Sequence, residues 1–168
     1  MQKNINISIT NYIFFSEKYI IYESNIYGKE YDDINDELIY EGGYLNGQRN
    51  GNGKEYDSFG RLKYEGEYFK GKRNGKGKEY NDDNKLIFEG EYLNGKRHGK
   101  GKEYNDDNKL IFEGEYLNGL KWLGNGYDND GNIIYKLNNN INGEGKEYYN
   151  NGKLKFEGEY KNDKKMKW

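Results

Sequence analysis

Two segments of this chain are identical, because residues 75–95 and residues 99–119 both read GKGKEYNDDNKLIFEGEYLNG. An aromatic-Glu-Gly motif marks each unit at a constant spacing of 24 residues, beginning at Tyr40, Tyr64, Phe88 and Phe112. The motif returns at Phe156, whereas Tyr135 holds an expected place but lacks the Glu-Gly that should follow it. Repetition at a fixed period predicts an array in which each unit is stabilised by its neighbours.

Each unit has the pattern of a β-hairpin. The apolar or small residues of one strand alternate with glutamates, and the two sets are Leu110, Phe112, Gly114, Tyr116 and Glu113, Glu115. A period of two predicts a half-buried strand, and the Asn118-Gly119 pair that follows favours a tight hairpin turn. Residues 99–104 read as a second strand and residues 105–108 as a second turn. We therefore predict an all-β fold, an elongated single-layer antiparallel sheet of tandem hairpins.

Glycines recur inside the second strand, as at Gly99 and Gly101, although glycine weakens a strand. The chain also has 19 Tyr, 7 Phe and 2 Trp, whose rings bury a large area each. We interpret these glycines as leaving room for rings of the neighbouring strand, such as Phe88 and Tyr92, to lie across the backbone. Contacts between glycine and aromatic rings would then replace an aliphatic core.

The pattern Y/F-E-G-E-Y-x-N-G-K-R-x-G-K-G resembles the MORN repeat, and the linker 105–111 makes the units slightly longer, as in a variant of that repeat. The resemblance covers residues 40–168, with a degenerate start near residue 25. It implies an elongated twisted sheet of hairpins, no catalytic residues, and a role as an interaction module that is sometimes linked to membranes or phosphoinositides.

Two other repeat classes fit less well. Leucine-rich repeats have a compatible period but need a Leu ladder, which is absent. Cell-wall choline-binding repeats build their ligand cages from Trp, and this chain has only Trp122 and Trp168.

The chain divides into two predicted parts. Residues 1–39 should form N-terminal strands and a degenerate first repeat that cap the sheet, with strands at residues 4–10 and 19–22. Residues 40–168 should form the array, with repeats starting near 40, 64, 88, 112, 135 and 156. No apolar run approaches the ~18 residues of a membrane span. A cytoplasmic, intracellular setting is expected, because a secreted domain this lean in aliphatic residues usually has disulfides and this chain has no Cys.

Catalytic, cofactor and metal sites are not expected. His98 is the only histidine, and sister repeats carry Asn50 and Asn74 at its position, so it reads as a surface residue beside a turn. The paired glutamates of the strands, such as Glu89 and Glu91, suit a solvated face better than an acid/base pair. Residues 128–132 faintly resemble a calcium loop, but the glycine falls at the wrong place, so a turn is predicted. A hydrolase stays a remote alternative.

Two candidate interaction surfaces remain. The aromatic face offers Tyr68, Tyr92, Tyr116 and Tyr160. One set of turns forms a basic edge that contains Arg49, Lys72, Arg73, Lys96, Arg97 and Lys121. The other set of turns is acidic, so the two long edges of the sheet should carry opposite charge.

The expected function is that of a non-catalytic scaffold for protein–protein interaction, with an unknown protein as partner. The alternative is peripheral binding of anionic phospholipid headgroups through the basic edge. Nucleic acid is not expected as a partner, because the net charge is −2 and the strand glutamates would repel phosphates. The oligomeric state does not follow from the sequence.

Overall fold

The computed structural model of the protein describes residues 12–15, 18–138, 142–149, 151–161 and 164–166. They form one sheet of fifteen strands, in which each strand pairs antiparallel with the strands before and after it in the chain. The strands are β1 (Tyr12–Phe15), β2 (Lys18–Ser24), β3 (Tyr27–Asp32), β4 (Leu38–Leu45), β5 (Gln48–Tyr56), β6 (Leu62–Phe69), β7 (Lys72–Tyr80), β8 (Leu86–Leu93), β9 (Lys96–Tyr104), β10 (Leu110–Leu117), β11 (Leu120–Tyr127), β12 (Ile133–Leu137), β13 (Asn142–Tyr148), β14 (Leu154–Lys161) and β15 (Lys164–Met166). The predicted all-β, single-layer antiparallel architecture is confirmed. Within these residues there is no helix that is long and apolar enough to cross a membrane.

The predicted hairpin pattern is confirmed in β10 and the turn that follows it. Phe112 is completely buried and Tyr116 is 3% exposed, whereas Glu113 and Glu115 are exposed. Asn118 has a φ of 54° and Gly119 a φ of 94°, as the tight hairpin turn requires. The sheet therefore has a core face, which carries the buried rings, and an opposite groove face, which carries Glu113, Glu115 and the equivalent glutamates of the other repeats.

The core is a continuous row of aromatic rings on one side of the sheet. Neighbouring rings meet edge to face at centroid distances of 5.1 to 5.6 Å, in the order Tyr44, Tyr40, Tyr68, Tyr64, Tyr92, Phe88, Tyr116 and Phe112. Edge-to-face pairs at this distance contribute beyond the area they bury. Each hairpin thus shares its rings with the next hairpin, which is why one repeat cannot form a core alone.

The strand glycines are required for two different physical reasons, close packing of rings at some positions and backbone conformation at others. A Cβ atom on Gly101 would lie 2.7 Å from Phe88 Cε2 and 3.0 Å from Tyr116 Cε2, so rings do lie across the backbone there. The same interpretation is wrong for Gly99, where an added Cβ would meet Glu91 and not the ring of Tyr92. Gly99 has a φ of +72° beside a bulge in the β8–β9 pair, so its role is conformational.

Backbone hydrogen bonds join successive hairpins at the Asn-Gly edge. The N–H groups of Gly71, Gly95 and Gly119 donate to the carbonyl oxygens of Arg49, Arg73 and Arg97, at 2.9, 2.9 and 2.8 Å. The turn of one repeat is therefore held by the preceding repeat, which fixes the stacking of the units.

The N-terminal expectations have mixed outcomes. The strand predicted over residues 19–22 is confirmed and lies inside β2, which pairs with β3. The strand predicted over residues 4–10 lies outside the described residues. The capping role of residues 1–39 stays a prediction.

Candidate functional site

A ladder of alternating charges covers the aromatic core. It runs in the order Lys18, Glu30, Arg49, Glu55, Arg73, Glu79, Arg97, Glu103 and Lys121. Six of its contacts join nitrogen to oxygen at 2.6 to 3.5 Å, and the other two, Glu55 to Arg73 and Glu79 to Arg97, are shorter. The ion pairs of Glu30 with Arg49, Glu55 with Arg73, Glu79 with Arg97 and Glu103 with Lys121 each join two hairpins, so the ladder links the repeats as the rings do.

The cations of this ladder also stack on the rings below. The guanidinium carbons of Arg49, Arg73 and Arg97 lie 4.2, 4.1 and 4.0 Å from the ring centroids of Tyr40, Tyr64 and Phe88, and Lys121 Nζ lies 4.6 Å from that of Phe112. A cation over an aromatic face at this distance is attracted by the ring. Ring stacking and carboxylate pairing therefore hold these side chains against the core.

Two carboxylates of the ladder, Glu30 and Glu79, keep their charge despite their burial. Burial alone would raise the pKa of Glu30, but hydrogen bonds and charge from Arg49, with hydrogen bonds from Lys18 and Tyr44, hold that pKa below its usual value. The pKa of Glu79 is lowered in the same way, since hydrogen bonds from Arg97 and Tyr92 outweigh its burial. Folding therefore favours the ionised form of both groups.

The predicted basic edge is divided between two roles. Arg49, Arg73, Arg97 and Lys121 belong to the ladder, where carboxylates and rings already occupy them. Lys72 and Lys96 are the members of the predicted set that stay exposed. An anion that approached this edge would meet those two lysines and not the arginines.

The prediction of an aromatic contact surface has to be corrected, because the tyrosines that the structure describes there are buried. Tyr68, Tyr92 and Tyr116 are 4%, 4% and 3% exposed and form part of the ring row. The prediction assumed that the aromatic face of a single-layer sheet is open, but the charged ladder closes it. The side chain of Tyr160 lies outside the described residues, and its backbone pairs with Gly143.

Sequence reasoning missed the ladder carboxylates. Glu103 follows Gly101 by two positions, so the period of two already placed it on the core face with the rings. Its partner Arg97 lies six positions earlier on the same strand, β9, whereas Lys121 lies on β11, beyond a bulge in the β10–β11 pair. The face of each Glu was readable from the sequence, whereas the identity of its partners was not.

The groove face carries charges in two rows on either side of a glycine floor. Row 1 is Glu41, Lys54, Glu65, Lys78, Glu89, Lys102 and Glu113, one residue on each strand from β4 to β10. Row 2 is Asn52, Glu67, Lys76, Glu91, Lys100 and Glu115 on β5 to β10. Between them runs a ladder of paired glycines that includes Gly66, Gly77, Gly90 and Gly101. Apart from Glu67, the residues of both rows line a groove of about 1100 Å³ that spans β3 to β11.

Tyrosines orient the glutamates of row 1. The hydroxyl groups of Tyr56, Tyr80 and Tyr104 donate to Glu41, Glu65 and Glu89 at 2.7, 2.6 and 2.7 Å. Partial burial and the hydrogen bond to Glu89 raise the pKa of Tyr104 to about 12, so this hydroxyl stays protonated at neutral pH. Row 1 is therefore a positioned array of carboxylates and not a set of freely moving side chains.

A third row of side chains follows the Asn-Gly edge on the groove face. Row 3 is Leu45, Gln48, Phe69, Lys72, Leu93, Lys96, Leu117 and Leu120. Leu45, Phe69, Leu93 and Leu120 are between 45% and 56% exposed. Row 3 thus combines five apolar side chains with Gln48, Lys72 and Lys96 and contains no acid.

The predicted acidic edge is mixed in charge. Lys63 pairs with Asp82 at 2.6 Å, and Arg61 pairs with Asp57 at 2.7 Å. The loop that faintly resembled a calcium site is a turn, in which Asp128 accepts hydrogen bonds from the N–H groups of Asp130 and Asn132. In the part of the chain that the structure describes, no cluster of three or more His, Asp or Glu could hold a metal ion.

Fold and surface together define a tandem β-hairpin repeat protein with one closed aromatic face and one open charged face. The MORN repeat model matches residues 40–58, 64–85 and 88–109, and the MORN repeat variant model matches residues 141–162. These segments cover just over half of the chain, so the chain belongs to the MORN-repeat family, a class of repeat modules.

Other comparisons add little. No curated protein matches this sequence. A mutant of TarM from S. aureus, crystallised with Fondaparinux, alpha-GlcNAc-glycerol and UDP, is similar at 17% identity and a TM-score of 0.29, over 89% of this chain and 21% of that chain. A second crystal structure of TarM has 16% identity and a TM-score of 0.23, over 94% of this chain and 21% of that chain. This chain therefore spans about a fifth of those proteins, and such weak similarity carries no argument about function.

Proposed function

We propose that this protein is a non-catalytic scaffold that binds protein partners through its groove face. The observation that carries the proposal is the groove of about 1100 Å³ that rows 1 and 2 form along β3 to β11. An elongated surface with many positioned polar groups suits recognition of an extended partner, because no single contact has to supply the affinity.

The same arrangement argues against catalysis. Glu65 and Glu89 of row 1 occupy the same register position in successive repeats, and each is flanked by lysines of both neighbouring strands. A general acid/base pair needs two carboxyl groups in different environments, so that their pKa values differ. Identical environments repeated along the array favour a binding role, and a hydrolase is not supported.

Row 3 supports a second candidate function, the peripheral binding of anionic phospholipid headgroups. Its exposed Leu and Phe side chains alternate with Lys72 and Lys96, and no acid interrupts them. Apolar side chains beside lysines suit a membrane interface, where each lysine adds on the order of 1 kcal/mol. With two exposed lysines rather than a full basic edge, this binding is weaker than the turn sequences alone suggest.

One pair of variants separates the two functions. A pull-down from the native source with mass spectrometry identifies proteins retained by the wild-type chain. Lys76→Glu with Lys100→Glu, on the groove face, should lose a protein partner, whereas Lys72→Glu with Lys96→Glu, on the edge, should keep it. In sedimentation with anionic vesicles the lipid candidate predicts the reverse pattern and a steep loss of binding with salt. A protein partner that both variants retain equally would reject the groove as its binding surface.

Localisation and partners follow from this proposal and not from the fold. A protein scaffold of this composition is proposed to act in the cytoplasm, with contact to a membrane only under the second candidate. Fluorescence microscopy of the tagged chain in its native cell checks both, since the edge variant should leave its distribution unchanged under the first candidate.

A further inference from the structure

The charges of row 1 alternate in sign on every strand from β4 to β10. The register pairs Lys54 with Glu65, Glu65 with Lys78, Lys78 with Glu89 and Glu89 with Lys102. Adjacent strands lie ~4.8 Å apart, so charges of one sign recur about every 10 Å along the groove. Row 2 alternates in the same phase, since Lys76 shares β7 with Lys78 and Glu91 shares β8 with Glu89. The groove face is therefore a two-row grid with a regular sign pattern.

A grid of this kind is complementary to itself in one orientation. A two-fold axis parallel to the strands, placed between β7 and β8, lays β7 of one copy on β8 of the other. Lys78 then faces Glu89 of the second copy, Glu65 faces Lys102, and Lys54 faces Glu113. In row 2 the same axis brings Lys76 to Glu91 and Glu67 to Lys100. Every one of these contacts joins opposite charges, and the symmetry makes each contact twice.

We propose that the groove face is a self-association surface, whose occupant is a second copy of this chain related by that two-fold axis. The inference rests on the proposed function only in using the same face for protein binding. Charge complementarity fixes the orientation of the axis, because an axis through a strand or along the groove joins like charges.

Two such placements show the selectivity of the pattern. An axis that passes through a strand, such as β7, lays Lys78 on Lys78 of the second copy and sets Glu against Glu elsewhere in the row. An axis that runs along the groove lays row 1 on row 2 of the same strand, so Lys78 meets Lys76 and Glu89 meets Glu91. The alternation therefore rejects these arrangements by repulsion and accepts the axis between two strands.

The side chains of row 3 also make favourable contacts when the two-fold axis lies between β7 and β8. The axis between β7 and β8 brings Phe69 to Lys96 of the second copy and Lys72 to Leu93. A lysine over an aromatic ring is attracted to it, and a leucine packs against the aliphatic part of a lysine side chain. Leu45 meets Leu120, and both are about half exposed in the single chain, at 56% and 47%. These contacts add burial of apolar area to the charge pattern of rows 1 and 2.

The test uses two variants of the full chain with opposite charge at the centre of the grid. One carries Lys76→Glu and Lys78→Glu, and the other carries Glu89→Lys and Glu91→Lys. The wild type should form a dimer in analytical ultracentrifugation at low salt and dissociate as salt is raised. Each variant alone should show a dissociation constant at least about tenfold higher, because like charges then meet across the axis.

Mixing the two variants gives the decisive result. In the mixture each Glu of one chain faces a Lys of the other, so a mixed dimer should form with an affinity close to that of the wild type. Repulsion between neighbouring strands within one chain is unchanged by mixing, so restored association reports contacts between chains. Lys109→Glu with Lys153→Glu, two exposed lysines outside the grid, makes the same change in net charge and should dimerise as the wild type does.

Several outcomes overturn the proposal. It fails if the wild type is monomeric with a dissociation constant weaker than about 1 mM at low salt, or if the mixture stays monomeric. Glu91 also accepts a hydrogen bond from the N–H of Lys100, so circular dichroism checks that each variant is folded. If Glu91→Lys unfolds the chain, Lys78→Glu and Glu89→Lys as single variants give the same mixing test. A monomeric chain whose groove variants lose a foreign partner would reject self-association and leave the scaffold function intact.

Discussion

Gly101 lies under the rings of Phe88 and Tyr116, with no room for a side chain between them. Valine is favoured in strands generally, so propensity alone predicts that Gly101→Val stabilises the protein. Packing predicts the opposite, a loss of about 1–3 kcal/mol in the free energy of unfolding, because the added atoms overlap the rings. Chemical denaturation measures the sign. Lys102→Val, one residue along on the groove face, is the control and should not show this loss.

Lys70 adopts a backbone conformation that suits asparagine better. Its φ is 49°, and the equivalent residues Asn46, Asn94 and Asn118 have φ values of 51°, 53° and 54°. Asparagine tolerates the left-handed region better than lysine does. Lys70→Asn should therefore raise the free energy of unfolding by about 0.5–1 kcal/mol. A thermal melt checks it against Lys72→Asn, which removes the same charge at a strand position and should bring no gain.

At the scale of the element, the ion ladder makes the stability of the array depend on pH in the acidic range. The pKa values of Glu30 and Glu79 are lower in the folded chain than their ordinary value of 4.5. The stability they contribute is present above that ordinary value and is lost as the pH falls through their folded pKa values. Denaturation curves should therefore show little change between pH 7 and about 5 and a steep loss of stability below about 4.5.

A matched pair of variants assigns this acid dependence to the ladder. Glu79→Gln leaves Arg97 and Arg73 without one of their carboxylates, and should cost about 1–3 kcal/mol at neutral pH and flatten the acid dependence. Glu113→Gln changes an exposed glutamate of row 1, and should stay within about 0.5 kcal/mol of the wild type. Equal effects of the two variants would contradict the role given to the ladder.

Elements and surfaces of this molecule differ in how far the sequence predicts them. The period of two and the Asn-Gly pairs were enough to predict β10 and its turn, because both are local signals. The open aromatic face was a wrong expectation, since Tyr92 is covered by residues that come from other hairpins. Arg97 bonds Glu79, which lies 18 positions earlier in the chain, through a register that contains a bulge. Such partners depend on strand pairing, which no local pattern specifies.

At the scale of the whole molecule, the N-terminal segment is expected to protect the first repeat. Strand β3 pairs with β4, and Glu30 joins the ladder to Arg49. Deleting residues 1–39 should expose the edge of β4, remove one of the two carboxylate partners of Arg49, and so lower the melting temperature and promote aggregation. Light scattering and a thermal melt measure both effects.

A single substitution separates the two effects of that deletion, the exposed edge of β4 and the lost carboxylate beside Arg49. Glu30→Gln in the full chain removes the ion pair but leaves the edge of β4 covered, so it should lower the melting temperature without aggregation. A truncated protein that stays monomeric and as heat-stable as the full chain would show that residues 1–39 do not act as a cap.

The identity of residues 75–95 and 99–119 has a consequence for how this protein can change in length. A unit inserted between those two copies would meet the same neighbours on both sides that they already meet, so no existing contact would need a new partner. Each inserted unit would lengthen the molecule by two strand spacings, or roughly 10 Å. The length of the array is therefore set by the number of repeats, and it can grow by whole units without disturbing the packing of the existing ones.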